Sequence, residues 1–305
     1  MYNSRMLIRT FRSLIKTMRP HQWIKNILVY VPLVFDRKLT HIPSLIRTSI
    51  GFILFCLVAS VVYIINDITD LEADRNHPVK RKRPLASGDL PISVAIVTAI
   101  AILVIVFPLA YWLAPSFALV LGCYFILNLL YSKWFKHIPI IDVFVLASFY
   151  VLRVIAGLTL IDVERFSPWL YVVTTLLALY IGLGKRRAEL ALLEDNANQH
   201  RRVLEGYTIP LLDQYITIVS AMTIIAYSLY TFSAPNLPEN HAMMITIPFA
   251  IYGVFRYLYL IHKKNLGESP TQIVTKDIPI IINTIIWFIA SALIIYKSKI
   301  LSYFN

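Results

Sequence analysis

Charge is scarce in this chain. Only 15% of its 305 residues are Asp, Glu, Lys or Arg, 58% are hydrophobic, and the mean hydropathy is +0.66. That balance excludes an ordinary soluble domain and predicts a polytopic membrane protein. Cysteine is nearly absent: Cys56 and Cys123 both fall inside apolar runs. They read as inert packing residues, not as a disulfide or a metal site. Acids are the rarer sign, 17 against 29 basic residues, giving a net charge of +12. No soluble basic domain exists to carry that charge, so nucleic acid is not the expected partner. Anionic membrane lipid and phosphorylated substrates are. No cleavable signal peptide is expected, because the Arg-studded N-terminus leads straight into the first apolar run.

Apolar segments long enough to span a membrane run near residues 22–36, 46–66, 91–112, 114–131, 138–160, 167–184, 211–231, 241–262 and 278–298. They predict an all-α polytopic bundle of about nine transmembrane helices in a single membrane domain, 1–305. The first is short, and Ala114-Pro115 makes a tight turn between the third and fourth. With the N-terminus inside, 21 Lys and Arg fall on inner segments and six on outer ones, with Arg153 and Arg256 within helices. The bias places segments 67–90 and 185–210 on the cytoplasmic side, as loops that deliver polar residues to one cavity. Before the first span, Arg5, Arg9, Arg12, Lys16 and Arg19 recur every three or four residues, largely opposite Leu7, Ile8, Phe11, Leu14, Ile15 and Met18. Residues 1–20 thus read as an interfacial amphipathic helix on anionic lipid.

The chemistry begins at Asn66-Asp67-Ile68-Thr69-Asp70-Leu71-Glu72-Ala73-Asp74. On a helix of about 100° per residue, Asn66, Asp67, Asp70 and Asp74 share one face and Glu72 points away. The lead-in is uncharged from Thr48 to Ile65, so these groups sit at the membrane boundary, where ionisable side chains are costly and mark a site. Three carboxylates on one stripe call for a cation, and oxygen ligands suit Mg²⁺. The expected metal ligands are therefore Asn66, Asp67, Asp70 and Asp74.

The basic run Lys80-Arg81-Lys82-Arg83 follows, with Arg75 before it. As a topology signal it would need no acids beside it; beside them, it suits a polyphosphate held on Mg²⁺. A second run, Lys185-Arg186-Arg187-Ala188-Glu189, stands after the sixth span and is expected to hold another phosphorylated group. Tyr131, Lys133 and Lys136 are placed to line the same opening. Arg153 and Asp142 lie about 16 Å apart along one helix, too far to pair, so each must look to other helices.

Together these residues resemble the UbiA-type intramembrane prenyltransferase superfamily. Asn66-Asp67-x-x-Asp70-x-x-x-Asp74 matches its first aspartate signature. The resemblance implies a nine-helix bundle around a cavity open to the cytoplasmic side and to lipid, with aspartates holding a Mg²⁺-diphosphate. The second aspartate-rich motif of ordinary members is missing, and Gly184-Lys185-Arg186-Arg187-Ala188-Glu189-Leu190 stands in its place. That string and Arg19-Pro20-His21-Gln22-Trp23-Ile24-Lys25-Asn26 resemble the decaprenyl-phosphate phosphoribosyltransferase branch. The branch implies transfer of 5-phosphoribose from phosphoribosyl pyrophosphate to a polyprenyl phosphate, in a bacterial plasma membrane, with a role in cell-wall synthesis. Asp67, Asp70 and Asp74 would then be catalytic. Lys25, Asn66, Arg75, Lys80, Arg81, Arg83, Tyr131, Lys136, Lys185, Arg186 and Arg187 would bind substrate. The rival readings are a true prenyltransferase acting on an aromatic acceptor and a non-catalytic transporter. Transport is disfavoured by an acid stripe at the interface instead of mid-membrane.

Overall fold

A computed structural model describes residues 2–163, 167–195, 202–235, 237–264, 273 and 275–301. The described residues contain helices and no strand. In chain order the α-helices are α1 (Tyr2–Met18), α2 (Val31–Phe35), α3 (Ile42–Thr69), α4 (Leu71–Asn76), α5 (Ile92–Leu113), α6 (Pro115–Lys133), α7 (Ile141–Leu158), α8 (Pro168–Asp195), α9 (Ile209–Ser233), α10 (Ile247–Lys264) and α11 (Ile278–Leu301). Eight helical segments among the described residues are long and apolar enough to cross a membrane. Each corresponds to one expected span. The ninth, expected at 22–36, is instead a 3₁₀ run over Pro20–Tyr30 followed by the short α2. The tight turn is present, with α5 ending at Leu113 and α6 starting at Pro115.

The chain packs as two units, described separately. The first comprises Met1–Val31, His41–Lys133 and Leu152–Asp162, and the second Pro32–Thr40, Trp134–Val151 and Val163–Asn305. In the first, α3 is the central element. It packs against α1, α5, α6 and the 3₁₀ run, and its apolar stretch is mostly buried where that of α5 is mostly exposed. The α5 side chains Val97, Ile100, Val104 and Ile105 are exposed and apolar, as a lipid-facing surface requires. A Cβ at Gly51 would lie 2.3 Å from Leu160 Cδ1, so glycine permits the close approach of the segment after α7. Arg47 donates to the Leu113 carbonyl at the end of α5 (3.0 Å), satisfying one of that helix's orphan acceptors.

Eleven residues is long for a 3₁₀ helix, whose hydrogen bonds are poorer than those of an α-helix. Its three-residue turn explains its use here. Trp23, Asn26 and Val29 recur every third residue and so align along one edge. Trp23 Nε1 donates to Ser60 (3.0 Å), Asn26 Nδ2 to Cys56 Sγ (3.2 Å) and Tyr30 to Ser49 (3.0 Å), a ladder along α3. Arg153 joins it from within α7: its Nε donates to Asn26 Oδ1 (2.7 Å) and its Nη2 to the Tyr124 hydroxyl (3.2 Å). Its guanidinium also lies over the Tyr124 and Phe55 rings, 5.0 and 5.4 Å from their centroids. A cation buried at membrane depth is thereby held by polar and aromatic partners.

In the second unit α8 packs on α9 and α10, and α10 on α9 and α11. Glycine again sets the spacing: a Cβ at Gly184 would come within 2.6 Å of Ile261, and one at Gly182 within 3.0 Å of Val143. Arg256 of α10 makes a forked pair with Asp277 (3.2 and 2.9 Å).

Candidate active site

The acid stripe is not one straight helix. α3 stops at Thr69, and Asp70 (φ −90°, ψ 9°) turns the chain into α4. The hydrogen-bond ladder survives the turn: Asp70 N–H donates to Asn66 O (2.9 Å) and Asp74 N–H to Asp70 O (2.8 Å). In a straight helix Asp67 and Asp74 would stand about 10–11 Å apart along the axis. Here both reach a single atom, because Arg83 Nη1 lies 3.1 Å from Asp67 Oδ1 and 2.6 Å from Asp74 Oδ2. Both acids are 3% exposed. Arg19 Nη2 adds a second cation on Asp67 Oδ1, at 2.6 Å, and lies over the Tyr63 ring. Asn66 Oδ1 accepts from the Ser132 hydroxyl (2.6 Å), and Asp70 is half-buried at the turn.

Local chain chemistry places each of these groups. Arg83 is followed by Pro84 and Leu85, and Leu85 and Leu90 are buried against Val61, Ile64, Ala95 and Met18. The loop is thus anchored just behind its arginine, and Gly88 (φ +81°) turns it in a conformation that favours glycine. Lys80, Arg81 and Lys82 form an exposed 3₁₀ turn, and Arg75 is also exposed. Arg19 has φ 52°, unusual for arginine, and its pair with Asp67 offsets that backbone cost. The sequence places Arg19 on the amphipathic stripe and at the head of the Arg19–Asn26 string, but gives it no acidic partner. The signal passed over was Pro20, which ends α1 and turns the Arg19 side chain inward. α1 itself shows Ile8, Phe11 and Ile15 exposed beside exposed Arg9, Arg12 and Lys16, and Arg9 reaches Asp89 at 2.5 Å. The Ser87 hydroxyl and Arg9 hold the Asp89 carboxyl below the usual carboxylate range.

Asp67 and Asp74 supply hard oxygen donors meeting at one point. That fits Mg²⁺, which takes one or two carboxylates and completes its shell with water and substrate phosphate. Four protein ligands were expected. Among the described residues no three His, Cys, Asp or Glu side chains gather closely enough to hold a metal, and Asn66 faces Ser132.

The second basic run also differs from expectation. Segment 185–210 was expected to be a loop, but α8 continues to Asp195. Consecutive residues on a helix point about 100° apart, so the three cations diverge. Lys185 lies 3.7 Å from Glu189. Arg186 is fully buried, its Nε 2.5 Å from Asp142 Oδ2 and its Nη1 2.5 Å from Glu189 Oε2. Arg187 Nε meets Asp213 at 2.5 Å, and His262 meets the same oxygen at 3.1 Å. Arg186 is thus a structural clamp, not an open phosphate ligand. Of the remaining expected residues, Lys25, Tyr131 and Lys136 are half-buried and Lys133 is exposed.

Asp142 has a second partner that sequence did not reveal. The Tyr207 hydroxyl donates to Asp142 Oδ1 (2.7 Å) and accepts the Ile140 N–H (2.5 Å). Burial, and the bond given to Asp142, push the Tyr207 phenol above its ordinary range, so it stays a donor. Ile140 has φ +70°, a strained value for a β-branched residue, and this latch holds it. Gly206 makes the latch possible: a Cβ there would come 2.3 Å from Pro139 Cγ and 3.0 Å from its Cβ. Because a proline ring cannot yield, Gly206→Ala should destabilise the protein by about 1–3 kcal/mol. Thermal unfolding in detergent checks this; an unchanged midpoint would show that the loops are not tightly apposed.

The UbiA prenyltransferase family model matches residues 37–275. The chain is 31% identical to a decaprenyl-phosphate phosphoribosyltransferase of Corynebacterium glutamicum over 93% of its own length and 87% of that protein's. It is 35% identical to the Mycolicibacterium smegmatis protein of the same name, covering 87% and 86%. Among solved structures it resembles a UbiA homolog from Archaeoglobus fulgidus bound to GPP and Mg²⁺, with TM-score 0.71, 22% identity and 93% and 99% coverage. That likeness shows a shared fold. Eight apolar helices among the described residues, an aspartate pair on paired arginines and these relatives identify the chain as a multi-pass membrane transferase, a member of the UbiA prenyltransferase family.

Proposed function

We propose that the protein transfers 5-phosphoribose from phosphoribosyl pyrophosphate to a polyprenyl phosphate of decaprenyl type and releases pyrophosphate. The reaction is Mg²⁺-dependent and takes place on the cytoplasmic side of a bacterial plasma membrane. The observation that carries the reading is the asymmetry of the two clusters. The first unit has one buried carboxylate pair suited to one metal-bound diphosphate. The corresponding stretch of α8 offers Lys185 and Arg187, with Arg186 buried behind them, where a second diphosphate site would need acids. One diphosphate and one monophosphate is the substrate pair of such a phosphoribosyl transfer, and the named relatives agree.

In this reading the bond from the ribose anomeric carbon to the pyrophosphate oxygen breaks as an oxygen of the lipid phosphate bonds to that carbon. Asp67 and Asp74 would hold Mg²⁺, which when bound would supply Lewis-acid stabilisation of the departing pyrophosphate. Arg19 and Arg83 meet the charge that grows on the same group, with exposed Lys80, Arg81, Lys82 and Arg75 gathering the donor from solution. Asp70 and Asn66 shape the turn and its flank. Lys185 and Arg187 hold the second phosphate, and Arg186 fixes their helix through Asp142 and Glu189. A lipid phosphate is already anionic at neutral pH, so it needs positioning and no general base. The exposed face of α1 rests on anionic lipid.

Incubating the purified protein with radiolabelled phosphoribosyl pyrophosphate, polyprenyl phosphate and Mg²⁺ should give a labelled lipid and pyrophosphate. Product formed only from a prenyl diphosphate and an aromatic acceptor would replace this reading with ordinary prenyl transfer. No product from either pair would favour a non-catalytic role.

A further inference from the structure

Asp67 and Asp74 are nearly fully buried, and buried carboxylates need a counter-charge. Arg83 provides it to both through one nitrogen, and Arg19 doubles it on Asp67. Two carboxylates thus face two guanidiniums, and the guanidinium of Arg83 sits at the point where the carboxylates would meet a metal. We propose that Arg83, seconded by Arg19, is an exchangeable occupant of that position, leaving it only when metal and diphosphate arrive together. The inference rests on the reading that Asp67 and Asp74 bind a metal-diphosphate.

Charge balance governs the exchange. A divalent ion entering alone would bring four positive charges against two carboxylates and push Arg83 into water with nothing to pair with. A diphosphate entering alone would meet two carboxylates that already hold both guanidiniums. When both enter, the carboxylates pass to the metal and the guanidiniums pass to phosphate oxygens, which they match in a fork geometry. Each broken pair is replaced by another, so the two ligands bind with strong positive coupling.

Placement also suits exchange. The Arg83 and Arg19 side chains are 29% and 25% exposed, and Arg83 lies on a loop beside an exposed turn. Arg186, by contrast, is sealed at 0% within a helix and has nowhere to swing. The device makes the acid site selective: free Mg²⁺ does not fill it and free phosphate does not block it.

Thermal unfolding of the full chain in detergent tests this with Mg²⁺ alone, sodium pyrophosphate alone, and both. The natural chain should gain about 3 °C or more with both and almost nothing with either alone. Arg83→Gln should gain with Mg²⁺ alone, and Arg83→Lys should shift the same way by less, which serves if the glutamine variant fails to fold. A natural chain stabilised by Mg²⁺ alone as strongly as the variants would overturn the exchange. Asp67→Asn separates the two ideas. Stabilisation that survives it removes the metal reading itself, whereas stabilisation that is lost in it but equal in the natural chain and Arg83→Gln removes only the exchange.

Discussion

Asp67→Asn should lower the transfer rate by about a thousand-fold or more while the protein stays folded. The substitution is nearly isosteric, and an amide oxygen still accepts hydrogen bonds from Arg19 and Arg83. What it removes is the charge. Asp67 alone touches both arginines, so its loss leaves Asp74 to balance two guanidiniums and would deprive the proposed metal of one of its two converging anionic ligands. Initial rates with phosphoribosyl pyrophosphate, alongside unfolding midpoints, separate lost chemistry from lost structure. A variant that is folded and within tenfold of the natural rate would show that Asp67 holds no substrate. Asp70→Asn should cost less, because Asp70 sits at the turn and not at the convergence point.

Asp142→Ala should cost about 3–5 kcal/mol of stability, the range for stripping one partner from a buried ion pair. Arg186 would remain at zero exposure without its Nε partner, and the Tyr207 latch would lose its acceptor. The Asp142→Ala/Arg186→Met double variant should recover part of the loss, since it removes the stranded charge as well. Chemical or thermal unfolding of the single and double variants measures both numbers. If the single variant loses under 1 kcal/mol, water reaches this pair and the clamp is not a dry one.

Much of the fold was legible because membrane spans announce themselves by length and hydropathy. Eight of nine segments became helices of about the expected extent, and the ninth failed where Pro20 and Pro32 bracket a run that repeats every three residues. The acid stripe was legible because Asn66 to Asp74 is local, and Arg83 because it lies nearby. Arg19 was not: it meets Asp67 across 48 positions, and no periodicity encodes a contact between elements. The same holds for Tyr207, which is 65 positions from Asp142. The course of α8 was readable in principle, since Lys185-Arg186-Arg187-Ala188-Glu189-Leu190 contains good helix formers and no breaker. Three adjacent cations suggested a helix end, and propensity gave the better answer.

The turn at Asp70 has a consequence for how this segment can vary. Asp67 and Asp74 act as the two jaws of a caliper closed on one nitrogen, and the distance between the jaws is set by the number of residues between them. Inserting or deleting one residue there would swing one jaw by about 100° and point its carboxylate away. Exposed positions such as Glu72 and Ala73 can change identity without moving either jaw. Between these two aspartates, length is constrained throughout, and composition is free only at the exposed positions.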